Sequence, residues 1–138
     1  MSEGRRARPQ PTPETQHFWD GTRAGELRLQ RCNACGKVYF PPRPFCPACG
    51  SLSIEWVQAS GRGTVYSYTI NRRGGGDLPE YKEAPPYVLA YVQLEEGPRI
   101  MTNIVDCDVE SVRIGQAVEV VFHDTGAGTA LPRFRPAR

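Results

Sequence analysis

The 138 residues suffice for one domain or two small lobes, and 13 prolines with 14 glycines in that length exclude long uninterrupted helices in favour of short strands and many turns. A formal net charge of +2 hides an uneven layout: residues 23–73 carry eight basic and two acidic side chains, whereas residues 77–124 carry three basic and ten acidic ones. No run approaches the roughly 20 apolar residues of a membrane-spanning helix and no apolar stretch follows the N-terminal arginines, so a membrane span and an export signal are not expected and the cytoplasm is the expected location.

Residues 1–11 are Arg, Pro and Gln with little apolar content and read as a disordered tail, because such a segment cannot offset the entropy of ordering. From Thr12 the pattern changes. Thr12 suits an N-cap, Pro13 the first helical position and Glu14 the positive end of the helix dipole, so a short helix is predicted from about Pro13 to Ala24, closed by Gly25. Phe18 and Trp19 would form its docking face, with Leu27 beyond. Leu27-Arg28-Leu29-Gln30 then alternates apolar and polar, as a strand leading into Cys32.

The next stretch holds four of the five cysteines, as Cys32-x2-Cys35-x10-Cys46-x2-Cys49. Each CxxC pair can fold into a knuckle that aims two thiolates at one point, and two knuckles brought together supply the four tetrahedral sulfur ligands that zinc accepts. Gly36 and Gly50 follow the second cysteine of each pair, where a positive φ angle is commonly needed. Metal ligation in a reducing compartment therefore explains these cysteines better than a disulfide framework does, with one structural Zn2+ expected and iron possible in the same four-thiolate geometry. Four thiolates leave no open position for water or substrate, so such a site stabilises folding and does not catalyse. Cys107 lies far outside the pattern and reads as a small buried hydrophobe. Arg28, Arg31, Lys37 and Arg43, interleaved with Tyr39, Phe40 and Phe45, give the knuckle region a basic and aromatic character.

Strands are predicted at Ile54–Val57, Thr64–Ile70, Tyr87–Leu94, Arg99–Val105 and Ala117–Phe122, with a last short one at Leu131–Phe134. Five or six strands in about 75 residues without helices between them point to a small antiparallel barrel. The connection from Arg72 to Pro86 is long for a compact domain and carries Gly74-Gly75-Gly76 with three prolines, the kind of loop that is functional or mobile. No GxSxG elbow, phosphate loop or dinucleotide fingerprint occurs, and Asp106 with Asp108 reads as a solvated pair rather than a catalytic one. Nothing in the chain looks like a self-sufficient active site. A third possibility, an enzyme acting through Cys107 or Asp108, stays open on the same ground.

The run Gly25-x-Leu27-x3-Arg31-Cys32-x2-Cys35-Gly36, then Phe40-Pro41-Pro42-Arg43, Cys46-Pro47-x-Cys49-Gly50-Ser51, Trp56 and Gly61-x-Gly63-x-Val65-Tyr66-Ser67 resembles the acyl-CoA-associated OB-fold family, also known as domain of unknown function thirty-five. Pro86-Tyr87-x2-Ala90, Glu96-Gly97-x-Arg99 and Ile114-Gly115 agree with it, so the resemblance covers about residues 13–134. It implies a mainly β fold: an N-terminal helical hairpin, a rubredoxin-like zinc ribbon and a five-stranded OB-fold barrel. On that division residues 12–30 are the helical segment, 31–60 the ribbon and 61–135 the barrel. It also implies a role. Members accompany thiolase-like enzymes or hydratases as non-catalytic subunits in acyl-CoA metabolism, and some accompany lipid-transfer-type aldolases that cleave steroid side chains held as CoA thioesters. The expected function is thus a non-catalytic subunit required by a thiolase-fold aldolase, a carbon–carbon lyase, or by an acyltransferase. An acyl-CoA thioester would be the substrate of the complex, and Arg31, Lys37, Arg43, Arg72 and Arg73 the residues expected to contact CoA or the partner. A single-stranded nucleic-acid binder is the alternative, and the acidic second half of the chain weighs against it.

Overall fold

The computed structural model describes residues 8–72 and 85–138. Among these, one α-helix (α1, Gln16–Arg23) precedes a three-stranded antiparallel sheet of β1 (Arg28–Cys32), β2 (Val38–Tyr39) and β3 (Ile54–Gln58), in the order β2-β1-β3. Five further strands close a barrel in the order β4-β5-β6-β8-β7: β4 (Arg62–Asn71), β5 (Tyr87–Leu94), β6 (Arg99–Ile104), β7 (Ala117–Asp124) and β8 (Ala130–Pro136). This is the expected mainly β architecture of short helix, ribbon and five-stranded OB-fold barrel, except that the helical hairpin the resemblance implies is a single α-helix among the described residues.

The helix starts later than its capping residues suggest. The Thr15 hydroxyl accepts the backbone N–H of Thr12 at 2.9 Å, and the Thr12 carbonyl accepts the N–H groups of Thr15 and Gln16 at 3.0 and 2.8 Å. The two threonines thereby close a turn over Pro13 and Glu14, and the helix propagates only from Gln16. Its inner face is where the aromatic pair placed it. Phe18 is buried, its ring 5.0 Å from Trp19 and 5.4 Å from Phe40. The helix is tied to the barrel by the Thr22 hydroxyl, which accepts the N–H of Ala130 in β8 at 3.1 Å.

Alternation decides the barrel. Along β5, Val88, Ala90, Val92 and Leu94 point inward, and on β6 Ile100, Thr102 and Ile104 do the same. A bulge at Tyr66 shifts the register of β4 against β5 between Val65 and Ser67, which bends the longest strand around the barrel. β7 and β4 complete the closure through Arg62↔Glu119, Gly63↔Val118 and Thr64↔Ala117, while β6 and β8 meet in parallel at Ile104↔Phe134. Phe134 is fully buried there. Leu27, Leu29 and Ala59 from the ribbon side and Phe18 from the helix join the same apolar cluster, so the base of the ribbon and the barrel share one core. The distal end of the ribbon has no such packing. Most of the Gly/Pro-rich connection after Arg72, including Arg73, lies outside the described residues.

Candidate metal centre and its surroundings

Cys32 ends β1 and Cys35 follows it in a turn whose Gly36 has φ 78°; Cys46 and Cys49 make the second turn, and Gly50 repeats the same φ. The repetition is physical. In each knuckle the glycine N–H returns to the carbonyl of the first cysteine, at 2.8 Å for Gly36 to Cys32 and 2.9 Å for Gly50 to Cys46, and only a left-handed residue closes that bond without strain. The register Cys32↔Ile54 and the bond from Asn33 N–H to the Ser53 carbonyl bring the two turns face to face.

All four Sγ atoms lie within 4.8 Å of one another, with Cys32 to Cys49 and Cys35 to Cys46 at 3.6 Å. A tetrahedron with metal–sulfur arms of about 2.3 Å has edges of about 3.8 Å, so these spacings suit a single four-thiolate ion. Backbone N–H groups also point at the sulfurs, Cys35 to Cys32 Sγ and Ala48 to Cys46 Sγ, each at 3.4 Å. The Cys35 N–H above all, helped by Ala34, Cys49 and Cys35 itself, draws the Cys32 thiol down to about 6 against the opposing pull of burial. Burial pushes Cys46 up, but the N–H groups of Cys49 and Ala48 outweigh it and the net shift is downward. Cys49 is pushed up to about 12: the Ser51 N–H favours its thiolate, and the neighbouring sulfurs of Cys32, Cys35 and Cys46 together with burial overcome it. Four sulfurs this close cannot all ionise unless a cation shares them, and a metal ion provides that charge. Tyr39 registers the same concentration of negative charge, its phenol raised by burial first and then by Cys46 and Cys32.

Cys107 takes no part in this cluster; it is half-buried, a free thiol packed against the barrel core. The Asp108 carboxylate accepts the Glu110 N–H at 2.9 Å and so caps a short 3-10 turn, Val109–Ser111. His123 Nδ1 is paired with an Arg133 guanidinium at 2.8 Å, and His17 packs on Trp56 with ring centroids 4.8 Å apart. Among the described residues neither histidine is hydrogen-bonded to Cys107 or to a serine, so no nucleophile–base pair is assembled.

The five cations expected to contact CoA or a partner divide into groups. Arg31 is held by Glu55 at 2.7 Å across β1 and β3, and Arg72 pairs with Glu110. Lys37 and Arg43 make no ion pair among the described residues and line one groove together with Arg99, a residue the sequence did not single out for this role. Arg73 lies outside the described residues. Sequence reasoning also passed over Gln30, a buried amide whose Oε1 accepts the Arg43 N–H at 2.7 Å and thereby fixes the proline-rich loop to β1. Alternation with Leu27 and Leu29 puts Gln30 on the polar side of β1 together with Arg28, so no sequence signal marked it.

The outer face of the barrel carries a second feature. Tyr66, Tyr87, Leu89, Tyr91 and Met101 are exposed on β4, β5 and β6, with Tyr91 directly opposite Met101. Arg99 lies over the Tyr66 ring at 3.7 Å. No helix among the described residues is long and apolar enough to cross a membrane.

Two family models match adjoining parts of the chain: the rubredoxin-like zinc ribbon domain of ChsH2 over residues 19–55 and the C-terminal OB-fold domain of ChsH2 over residues 56–123. A DUF35 domain-containing scaffold protein of Methanocaldococcus jannaschii is 42% identical over 113 residues, which span 77% of this chain and 78% of that one. A probable enoyl-CoA hydratase alpha subunit of Thermomonospora curvata is 36% identical over 132 residues, 96% of this chain but only 40% of the relative's length. Among solved structures, a chain of an Ltp2-ChsH2(DUF35) aldolase superposes with a TM-score of 0.81 at 35% identity, covering 95% of this chain and all of that one.

Proposed function

The chain belongs to the DUF35 family of zinc-ribbon and OB-fold proteins that includes the ChsH2 domains, and on that premise we propose that it is a non-catalytic subunit of a heteromeric acyl-CoA-processing complex. Its partner would be a thiolase-fold enzyme, either an aldolase cleaving a steroid side chain held as a CoA thioester or an acyltransferase. The observation that carries this reading is the closed four-cysteine site. All four tetrahedral positions are taken by protein sulfur, so the metal organises the ribbon and offers no Lewis-acid position to a substrate. Zinc is the metal we assign, since it accepts four thiolates in a tetrahedron with no redox demand on the protein.

Chemistry would then reside in the partner, and this chain would present surface. The exposed Tyr, Leu and Met side chains on β4–β6 have the composition of a protein interface, rich in tyrosine and methionine and poor in lysine and glutamate. The nucleic-acid alternative has less support. Three tyrosines could stack bases, but Arg62 and Arg72 at the ends of β4 are already held by Glu95 and Glu110, and the barrel lacks a continuous positive groove among the described residues.

Size-exclusion chromatography of the chain mixed with a thiolase-like protein from the same organism tests the assignment. Co-elution in a fixed ratio is expected. Separate elution at micromolar concentrations of both would overturn it.

A further inference from the structure

The four sulfurs are paired across the ribbon. Cys32 Sγ stands 3.6 Å from Cys49 Sγ, and Cys35 Sγ stands 3.6 Å from Cys46 Sγ, so each contact joins the first knuckle to the second. Each contact also joins a buried cysteine to an exposed one, since Cys32 and Cys46 are buried and Cys35 and Cys49 are exposed. A small polar oxidant therefore meets one residue of each pair from solvent, with a second sulfur already beside it. Cys107, the fifth cysteine, is outside the cluster.

The backbone maintains this opposition. The Cys32 N–H donates to the Lys37 carbonyl and the Cys46 N–H to the Ser51 carbonyl, each at 2.9 Å, so the two knuckles are near copies. The Asn33 N–H donates to the Ser53 carbonyl at 2.9 Å and ties the exit of the second knuckle to the first. The two buried sulfurs are held from within their own turns, by the Cys35 N–H on Cys32 Sγ and the Ala48 N–H on Cys46 Sγ, both at 3.4 Å. Bonds across the knuckles are also compatible with each other. The loop closed by Cys35 and Cys46 lies wholly inside the loop closed by Cys32 and Cys49, so both form without threading, and each needs its sulfurs to close from 3.6 Å to about 2.05 Å.

We propose that the four-cysteine cluster is an oxidation site with two closed forms: four thiolates around a metal ion when reduced, and the disulfides Cys32–Cys49 and Cys35–Cys46 when oxidised by a peroxide. The exposed thiolate of each pair attacks one peroxide oxygen, the O–O bond breaks, and a sulfenic acid and hydroxide result. The buried thiolate then attacks that sulfur, the S–O bond breaks and a second hydroxide leaves. Each disulfide thus passes two electrons from two thiolates to one peroxide, and two protons convert the hydroxides to water. Two peroxides oxidise the whole cluster, which then lacks the negative charge that held the cation, and the metal departs. Because each bond links one knuckle to the other, the ribbon stays closed without metal. Disulfides within the CxxC turns would leave nothing between the knuckles. The inference rests on the four-thiolate metal site and is independent of the partner enzyme.

Treating the metal-loaded full chain with micromolar hydrogen peroxide tests it, with metal release followed by a chromophoric chelator and disulfides mapped by mass spectrometry. Release of the bound metal is expected together with the two cross-knuckle bonds, and dithiothreitol with zinc should restore the starting form. Hydrogen exchange in residues 32–36 and 46–50 should be at least about tenfold slower in the oxidised, metal-free chain than in the reduced chain stripped by chelator. Cys107→Ser should behave as the parent, and Cys49→Ser should form Cys35–Cys46 alone. Cys32–Cys35 or Cys46–Cys49 as the main product overturns the proposal, and so do stable sulfinic acids, intermolecular bonds through Cys107, or oxidised knuckles that exchange as fast as stripped ones. A reduced chain that holds no metal overturns the reduced form. Co-elution with a thiolase-like subunit is measured separately, so a failed oxidation site leaves the accessory role standing and a failed complex leaves the oxidation site standing.

Discussion

Replacing Cys46 by alanine removes one corner of the four-sulfur cluster. The residue is 1% exposed, its Sγ stands 3.6 Å from that of Cys35, and among the described residues no other cysteine, histidine or carboxylate joins the cluster to replace it. Structural zinc contributes about 10 to 16 kcal/mol in small ribbons, or about 2.5 to 4 kcal/mol for each of four equivalent ligands. At about 1.4 kcal/mol per tenfold, Cys46→Ala should weaken metal binding by about 10²- to 10³-fold. The loss should also be local. Leu27, Leu29 and Ala59 anchor the base of the ribbon in the barrel core, whereas the knuckles have only the metal. Competition against a chromophoric chelator gives the affinity, and hydrogen exchange resolves where protection is lost. The two cysteine turns, residues 32–36 and 46–50, should exchange rapidly in the variant while β4–β8 keep their protection, and Cys107→Ser should change neither. An alanine variant that holds one equivalent of metal as tightly as the parent chain would refute the reasoning, and so would a loss in Cys107→Ser.

Phe18→Ala empties a site where helix, ribbon loop and barrel meet and should cost about 3 to 5 kcal/mol, lowering Tm by about 10 to 20 °C in calorimetry; a fall below about 3 °C would mean the helix is not part of the core. Burial first, then the Arg133 guanidinium, holds the His123 pKa below its ordinary value of 6.5, with Asp106 opposing. The folded state therefore binds this proton less readily than the unfolded one, so its stabilising effect is present above about pH 6.5 and fades as pH falls through the depressed value. Comparing Tm at pH 7.5 and 5.5, His123→Gln should lose less on acidification than the parent; an identical loss would refute the assignment. Tyr91→Glu places a charge in the exposed apolar face and should leave Tm within a few degrees while weakening the complex with the catalytic partner at least tenfold by interferometry, and unchanged affinity would remove that face from the interface.

How far the sequence led depends on the kind of interaction. The four-cysteine cluster was legible because two CxxC turns and their glycines encode geometry locally, each within five residues. The barrel strands were legible because alternation is local as well: β4 to β7 fall where Val, Ile or Tyr recur, whereas β8 carries none of these and showed only through Leu131 and Phe134. The start of α1 was misplaced by three residues, since both Thr12 and Thr15 have capping side chains and only their mutual hydrogen bonds decide between them. β2 went unseen: two residues, Val38 and Tyr39, become a strand only because β1 lies beside them. The groove lay beyond local reasoning altogether. Lys37 and Arg43 were visible as basic residues near cysteines, but their convergence with Arg99 arises from packing between segments about 60 residues apart. Arg31 and Arg72 looked equivalent to them until Glu55 and Glu110 were found beside them.

The central claim is that this chain supplies no chemistry of its own yet is needed for the chemistry of a partner. Turnover of a CoA thioester by the purified thiolase-like subunit, measured with and without stoichiometric metal-loaded chain, tests it most directly. The account predicts carbon–carbon cleavage or acyl transfer only when both proteins are present, and none from this chain alone. Full activity of the catalytic subunit by itself, unchanged on adding this chain, would contradict it.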